Sequence, residues 1–263
     1  MLSSSGLVAV PGSHIHYRIA GKAAAPVLVL SHALGTDLSL WEPQMPVLAS
    51  CFRVLRCDGR GHGQSPASPG DYTIELLASD LLAVLDHLRI DAATFCGLSL
   101  GGMVGLWLGI FAPTRVPKLA LGSTAAHIGS AETWNARIDS VRKGGMAAVT
   151  EATLERWFTP PFIRRDPAAV DRIRQMLLAS PTAGYIANCA AVRDANFREV
   201  LGQVRSQTLV ISGSHDRSTP PADGRFLAEH IPGASYCELD AAHLSNIESS
   251  QNFTATILQF MTA

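Results

Sequence analysis

Residues 92–103 of the chain have the sequence AATFCGLSLGGM, and the first part of this stretch, Ala92–Cys96, is typical of a short strand. Glycines follow at the positions two before and two after Ser99, and Gly102–Phe111 then has the apolar character of a buried helix. A sharp turn from a strand into a helix crowds the side chains around it, and glycine has none to crowd. The pattern therefore predicts that Ser99 projects from a tight turn at the start of a helix.

Short apolar runs alternate with helical segments on both sides of this turn, which is typical of an α/β fold with a mostly parallel sheet. Helical spacing of leucines is clear in Thr73–Leu88, and a final helix is predicted at Ser249–Met261. We expect helices on both faces of an eight-stranded sheet. Its predicted strands are Leu7–Val10, His14–Ile19, Val27–Leu30, Phe52–Cys57, Ala92–Cys96, Lys118–Gly122, Thr208–Ser212 and Tyr236–Leu239.

The stretch 125–200 interrupts the alternation, because it contains successive helical patterns with prolines at their boundaries and no predicted strand. Helices inserted between two α/β blocks are expected to cover the carboxyl edge of the sheet, where such folds bind ligands. We therefore predict an α/β core of residues 1–124 and 201–263, with residues 125–200 as an inserted helical cap.

The composition argues against several classes of partner. The 263 residues carry a net charge of −1, which gives no field that would attract nucleic acid or an acidic membrane. No run approaches the roughly 20 apolar residues of a membrane span, and the N-terminus lacks the pattern of a signal peptide. Five dispersed cysteines fit a reducing compartment. We expect a soluble cytoplasmic protein without nucleic-acid or membrane partners; its oligomeric state is not readable from the sequence.

A serine hydroxyl is a weak nucleophile at neutral pH and needs a base that is oriented by an acid. Asp216 follows one predicted strand and His243 follows the next, so both lie in loops that can converge on Ser99. The order serine, acid, histidine also accompanies this strand–turn–helix arrangement of the nucleophile. We predict that Ser99, Asp216 and His243 form a catalytic triad.

Alternatives exist for two of these positions, since the chain has nine histidines. His215 is the main rival for the base, and Asp240 and Asp194 are alternatives for the acid. His14 and His16 lie in the first hairpin and are expected to face solvent. Loop residues His32 and His62 are expected to be structural.

Attack by serine creates an oxyanion that two backbone N–H groups should stabilise, each by about 3 kcal/mol. One is the amide of Leu100, directly after the nucleophile. The second should come from the loop Ser31–Gly35, where we favour the amide of Leu34. The sequence contains no HExxH, CxxC or Walker-type motif, so we expect neither a metal nor a cofactor.

The chain resembles the α/β-hydrolase superfamily over essentially its whole length, and within it the 3-oxoadipate enol-lactonases of bacterial aromatic catabolism. The resemblance implies hydrolysis of a five-membered enol-lactone to 3-oxoadipate through an acyl-enzyme, without a cofactor. Ala33 departs from the pattern, because many relatives have glycine there, and this leaves open which loop amide faces the oxyanion. The segments that carry the resemblance are Ser31–Trp41, Cys57–Ser65, Gly97–Met103 and Thr133–Arg137.

A carboxymethyl arm on this implied substrate needs a cationic partner, and arginine binds carboxylates with two parallel hydrogen bonds. Our hypothesis is that Arg137 binds the carboxylate while Trp134 packs against the ring, since the two share one face of a helix. The alternative is that Trp134 only packs within the cap and Arg137 is a solvated charge.

Other functions of the same scaffold stay open. A carboxylesterase, a C–C bond hydrolase or a cofactor-free haloperoxidase would use the same three residues. A small-molecule receptor without activity is opposed by the intact set of Ser99, Asp216 and His243. A haloalkane dehalogenase is disfavoured because its nucleophile would be aspartate.

Overall fold

The strand before Ser99 runs from Thr94 to Leu98 and belongs to an eight-stranded sheet in the computed structural model, which describes residues 2–263. The order across the sheet is β1-β2-β4-β3-β5-β6-β7-β8, and all eight predicted strands are present, although most of them begin or end at other residues than predicted. In chain order the strands are β1 (Leu2–Val10), β2 (Ser13–Gly21), β3 (Val27–Ser31), β4 (Arg53–Cys57), β5 (Thr94–Leu98), β6 (Lys118–Gly122), β7 (Gln207–Gly213) and β8 (Ser235–Leu239).

The direction of the strands decides where the loops meet. Strand β2 pairs antiparallel with β1 and β4, whereas the pairs from β4–β3 to β7–β8 are all parallel. Parallel strands end at the same edge of a sheet. Since Ser99, Asp216 and His243 follow β5, β7 and β8 respectively, the topology brings these three residues to one edge.

The first hairpin differs from prediction in two respects. Strand β1 begins at Leu2 rather than Leu7, because pairing with β2 extends to Gly21 and includes the polar residues that the apolar pattern left out. His16, expected to face solvent, is 5% exposed, and its Nδ1 lies 2.8 Å from Oδ2 of Asp58. The loop after β4 covers this residue: the Asp58 N–H donates to the His16 carbonyl at 3.0 Å, and the His16 N–H donates to Oγ of Ser65 at 2.9 Å. The sequence of the hairpin alone does not reveal these contacts.

Helices cover both faces of the sheet. Phe95 of β5 packs against Gly105, whereas Leu98 of the same strand lies with Phe253 beside Gly122, and residues three apart on a strand point to opposite faces. Outside the predicted cap, the α-helices are α1 (Met45–Cys51), α2 (Ile74–His87), α3 (Leu100–Phe111), α9 (Pro221–His230), α10 (Ser245–Glu248) and α11 (Ser250–Thr262).

Between β6 and β7 the chain forms successive helices, as the prolines predicted. Ser130, Thr159 and Asp166 cap three of them by accepting hydrogen bonds from backbone N–H groups in the first turn. The assignment of residues 125–200 as a separate cap remains our prediction. These helices are α4 (Ala131–Gly144), α5 (Ala147–Trp157), α6 (Pro160–Arg165), α7 (Pro167–Ala179) and α8 (Thr182–Asp194).

A close backbone contact joins the predicted cap to the core. Gly184 of α8 packs directly on Gly61, in the loop that follows β4, and Asn188 donates a hydrogen bond of 2.8 Å to the carbonyl of Arg60. A Cβ atom on Gly184 would lie 2.2 Å from the carbonyl oxygen of Gly61, closer than any real contact. The position of α8 over the core therefore depends on glycine at 184.

We expect Gly184→Ala to lower the free energy of unfolding by about 1–3 kcal/mol, because backbone must move to admit the methyl group. Gly202→Ala is the matched control, since a Cβ there has no neighbour within 4 Å. Urea unfolding of both variants measures the difference. Equal midpoints for the two variants would show that the contact between α8 and the loop is not tight.

Candidate active site

Ser99 occupies a strained turn between β5 and α3. Its backbone angles, φ of 56° and ψ of −112°, lie outside the regions that residues other than glycine ordinarily adopt. This strained conformation costs about 1–3 kcal/mol. A Cβ on Gly97 would lie 2.1 Å from the carbonyl oxygen of Gly101, and one on Gly101 would lie 2.3 Å from that of Ser31. Both glycines are therefore required by the turn. Helix α3 begins at Leu100, two residues earlier than predicted, because it follows this turn without a linker.

His243 and Asp216 form a buried pair at the same edge of the sheet. Nδ1 of His243 lies 2.8 Å from Oδ2 of Asp216, and the two residues are 2% and 4% exposed. This bond orients the imidazole and leaves its Nε2 atom available for other partners. An imidazole held in this way by a carboxylate is the arrangement that a general base requires.

The Asp216 carboxylate is held by backbone as well as by His243. Backbone N–H groups of Ser218 and Thr219 donate to Oδ1 at 2.7 and 3.0 Å, and the Thr219 hydroxyl donates to Oδ2 at 2.8 Å. Burial by itself raises the pKa of Asp216, but the charge and hydrogen bond of His243 and the bonds from Thr219 outweigh it. The pKa therefore lies below its ordinary value, and the group is a carboxylate at neutral pH.

The residues considered as alternatives for the base and the acid lie outside this site. His215 is exposed, and its Nε2 lies 2.9 Å from Oδ1 of Asp240, which is exposed as well. Asp194 pairs with its neighbour Arg193 at the surface. These three residues form ion pairs at the surface, and none of them lines the cavity at Ser99.

A cavity of about 360 Å³ lies between the sheet edge and the helices α4, α5 and α8. Ser99 and His243 line its floor, and Leu34 lines it from the loop after β3. Trp157, at the end of α5, stacks on the His243 ring with the ring centroids 5.7 Å apart. No sequence pattern pointed to Trp157, because its partner is 86 positions away and no spacing rule connects the two residues.

Trp134 and Arg137 both line this cavity, so the face that they share on α4 points toward Ser99. The Arg137 guanidinium is half-buried: Nε donates to the Tyr185 hydroxyl at 2.7 Å, and Nη2 donates to Oγ1 of Thr153 at 2.6 Å. Its central carbon lies 6.0 Å from the Trp134 ring centre. Arg137 is therefore an oriented cation in the cavity wall and not a freely solvated charge.

Two histidines support the loop that carries Leu34. The N–H of Gly35, whose φ is +77°, donates to Nε2 of His62 at 2.9 Å. His32 accepts from the N–H of Gly59 at 2.8 Å through Nε2, and its Nδ1 lies 2.8 Å from the carbonyl oxygen of Ala33. Each imidazole needs an unprotonated Nε2 to accept its bond. Burial is the main cause that holds the pKa of His62 well below its ordinary value, and the neighbouring His32 ring adds to the effect because a proton on either ring disfavours one on the other.

Comparison with known proteins agrees with this architecture. The family model described as "alpha/beta hydrolase fold" matches residues 26–250. The chain belongs to the alpha/beta hydrolase fold family. The predicted fold class and superfamily are therefore confirmed.

Several known proteins are similar to this hydrolase in sequence or in structure. It is 40% identical to 3-oxoadipate enol-lactonase 2 of Acinetobacter baylyi, over 92% of this chain and 91% of that protein. The crystal structure of the enol-lactonase from Burkholderia xenovorans superposes with a TM-score of 0.96 at 46% identity, over 98% of this chain and 100% of that one. A putative carbamate hydrolase, RutD, of Stutzerimonas stutzeri is 31% identical over 94% of this chain and 96% of that protein. The resemblance to enol-lactonases that the sequence motifs indicated is confirmed.

Within residues 2–263 no three His, Cys, Asp or Glu side chains cluster in a way that would hold a metal ion. In the same range no helix combines the length and apolar character needed to cross a bilayer.

We expect His62→Leu to lower the free energy of unfolding by about 1–3 kcal/mol near pH 8, because the buried Gly35 N–H loses its acceptor. The unfolded chain takes up a proton at His62 as the pH falls through about 6.5, whereas the folded chain does not. The His62 contribution to stability is therefore lost as the pH falls below that value. The stability difference between the hydrolase and its His62→Leu variant should narrow toward about pH 5.5.

Urea unfolding at both pH values measures this difference. His87→Leu, on the exposed side of α2, is the control and should show no such narrowing. A difference for His62→Leu that stays constant with pH would mean that His62 takes up its proton at the same pH in the folded and the unfolded hydrolase, so that burial does not lower its pKa.

Proposed function

We propose that this chain hydrolyses 3-oxoadipate enol-lactone to 3-oxoadipate, a step of aromatic-compound catabolism. The main support is one cavity that contains Ser99, the His243 imidazole held by Asp216, and the oriented cation Arg137. A nucleophile and a cation in one cavity suit an ester-type substrate that carries a free carboxylate. Identity of 40% and 46% to proteins named enol-lactonases supports the same substrate.

In the first half of the reaction, Ser99 Oγ attacks the lactone carbonyl and its proton passes to Nε2 of His243. Asp216 keeps the imidazole oriented through Nδ1 and stabilises its positive charge. The backbone N–H groups of Leu34 and Leu100 stabilise the oxyanion, each by about 3 kcal/mol. Cleavage of the ring C–O bond releases an enolate oxygen, which takes the proton from Nε2 of His243 and leaves the imidazole neutral. The enol formed in this way becomes a ketone when its proton moves from oxygen to carbon.

In the second half, water attacks the acyl carbon and gives its proton to His243. The bond to Ser99 Oγ then breaks, and His243 returns the proton to the serine. The products are the free enzyme and a molecule with a new carboxylate, so no cofactor is consumed.

The substrate carboxylate would lie against Arg137, with Trp134 beside the lactone ring. Both side chains are held by hydrogen bonds: Trp134 Nε1 donates to the Ile128 carbonyl at 2.6 Å, and Arg137 is held by Tyr185 and Thr153. A cation held in place loses little entropy when it binds an anion. We also propose that the enzyme is cytoplasmic and that its partner is a small anionic lactone, not nucleic acid or a membrane.

A second candidate function is hydrolysis of a carbamate or a simple ester. This candidate is supported by the 31% identity to the relative named a putative carbamate hydrolase. The same nucleophile and base would serve both reactions, so the acyl group that the cavity accepts decides between them.

The purified enzyme should hydrolyse 3-oxoadipate enol-lactone, and Ser99→Ala should lower kcat by at least about 10³-fold because the nucleophile is lost. Loss of lactone absorbance measures the rate. Ser140→Ala, on the exposed face of α4, is the control and should retain full activity. Turnover of p-nitrophenyl acetate or a carbamate without turnover of the lactone would refute the proposed substrate.

Arg137→Ala should raise KM for the lactone about tenfold or more with little change in kcat, because binding of the carboxylate is lost in ground state and transition state alike. Arg142→Ala, an exposed position on the same helix, removes the same charge and should change neither constant. Unchanged kinetics of Arg137→Ala would remove this residue from the substrate site.

A further inference from the structure

A second arginine faces the catalytic cavity beside Arg137. Arg156, in the last turn of α5, is half-buried and lines the same cavity as Ser99. Its Nη2 atom lies 3.4 Å from Oγ1 of Thr153, the oxygen that also accepts the 2.6 Å bond from Arg137. The Thr153 hydroxyl donates its own proton to the carbonyl of Val149 at 2.7 Å. Two guanidinium groups therefore converge on one buried, neutral oxygen.

The charges around this oxygen are not balanced by acids. Across residues 2–263, no carboxylate lies within ion-pair distance of Arg137, Arg156 or Arg217, the three cations of the cavity wall. Burial and then the charge of Arg137 lower the pKa of Arg156, and Arg217 adds to this effect. Glu155 opposes it from an exposed position. Like charges that share a partly buried wall repel each other, and a bound anion would relieve the repulsion.

The two arginines differ in the donors that they have left. The Nε–Nη2 edge of Arg137, which suits a forked bond to a carboxylate, is filled by the neutral oxygens of Tyr185 and Thr153. In the described part of the chain, the long contact with Thr153 is the one hydrogen bond of Arg156. Most N–H groups of Arg156 are therefore free to bind a ligand.

We propose that Arg156 is a second carboxylate-binding residue of this cavity and that Thr153 positions it together with Arg137. The pair selects substrates whose acyl group ends in a carboxylate over neutral acyl groups of the same length. The inference builds on the proposed function, which supplies the carboxylate, but it concerns the acyl group and applies to any ester that reaches Ser99.

Two esters with the same leaving group test this selectivity: p-nitrophenyl hydrogen glutarate, which carries a carboxylate, and p-nitrophenyl pentanoate, which is neutral. Arg156→Gln should lower kcat/KM for the anionic ester at least tenfold and change that for the neutral ester less than twofold. Arg156→Lys should restore part of the loss, because it restores the charge. Arg164→Gln, an exposed arginine of α6, removes the same charge outside the cavity and should affect neither ester.

Thr153→Val tests the positioning role, because valine keeps the shape of threonine and removes the shared oxygen. It should also lower kcat/KM for the anionic ester selectively. Glutarate, used as a competitive inhibitor of the neutral ester, should bind at least tenfold more weakly to Arg156→Gln.

Equal losses for both esters in Arg156→Gln would overturn the inference in favour of a structural role. Unchanged turnover of the anionic ester would overturn it in favour of Arg137 alone. A wild-type enzyme without preference for the anionic ester would refute it as well. Failure to hydrolyse the enol-lactone, with the ester preference intact, would refute the proposed function and leave the role of Arg156 standing.

Discussion

The left-handed backbone at Ser99 is the constraint on which the rest of the site depends. It allows a buried strand to pass into a helix within one residue, so that the serine side chain stands at the carboxyl edge of the sheet. The turn is possible only because Gly97 and Gly101 leave room for each other and for the carbonyl of Ser31. Its conformational energy is unfavourable, and the packing of β5 and α3 on both sides maintains it.

The buried charges near this turn differ in whether the protein itself supplies their partners. The Asp216 carboxylate is bonded by His243, by backbone N–H groups and by a hydroxyl, so it is fully satisfied and rigid. The guanidinium groups of Arg137 and Arg156 instead share a neutral oxygen and have no acid as partner in the described chain. A satisfied charge orients the base, whereas an unsatisfied one creates affinity for an anion.

The loop after β3 shows how neutral groups can be as important as charged ones. His62 and His32 accept hydrogen bonds from backbone N–H groups, and these bonds hold the loop beside the cavity. An imidazole can do this only without a proton on the accepting nitrogen, and burial keeps His62 in that state. The geometry proposed for the oxyanion site around Leu34 therefore rests on uncharged histidines.

The sequence by itself determined the alternation of strands and helices, the strained turn at Ser99, and the order of serine, acid and histidine, because these features depend on local spacing and on glycine. It could not determine the burial of His16, the stacking of Trp157 on His243, or the meeting of Arg156 with Arg137 at Thr153. Each of these contacts joins residues through the packing of separate elements. Local sequence patterns carry no information about which distant residues come into contact, so only the tertiary structure decided these contacts.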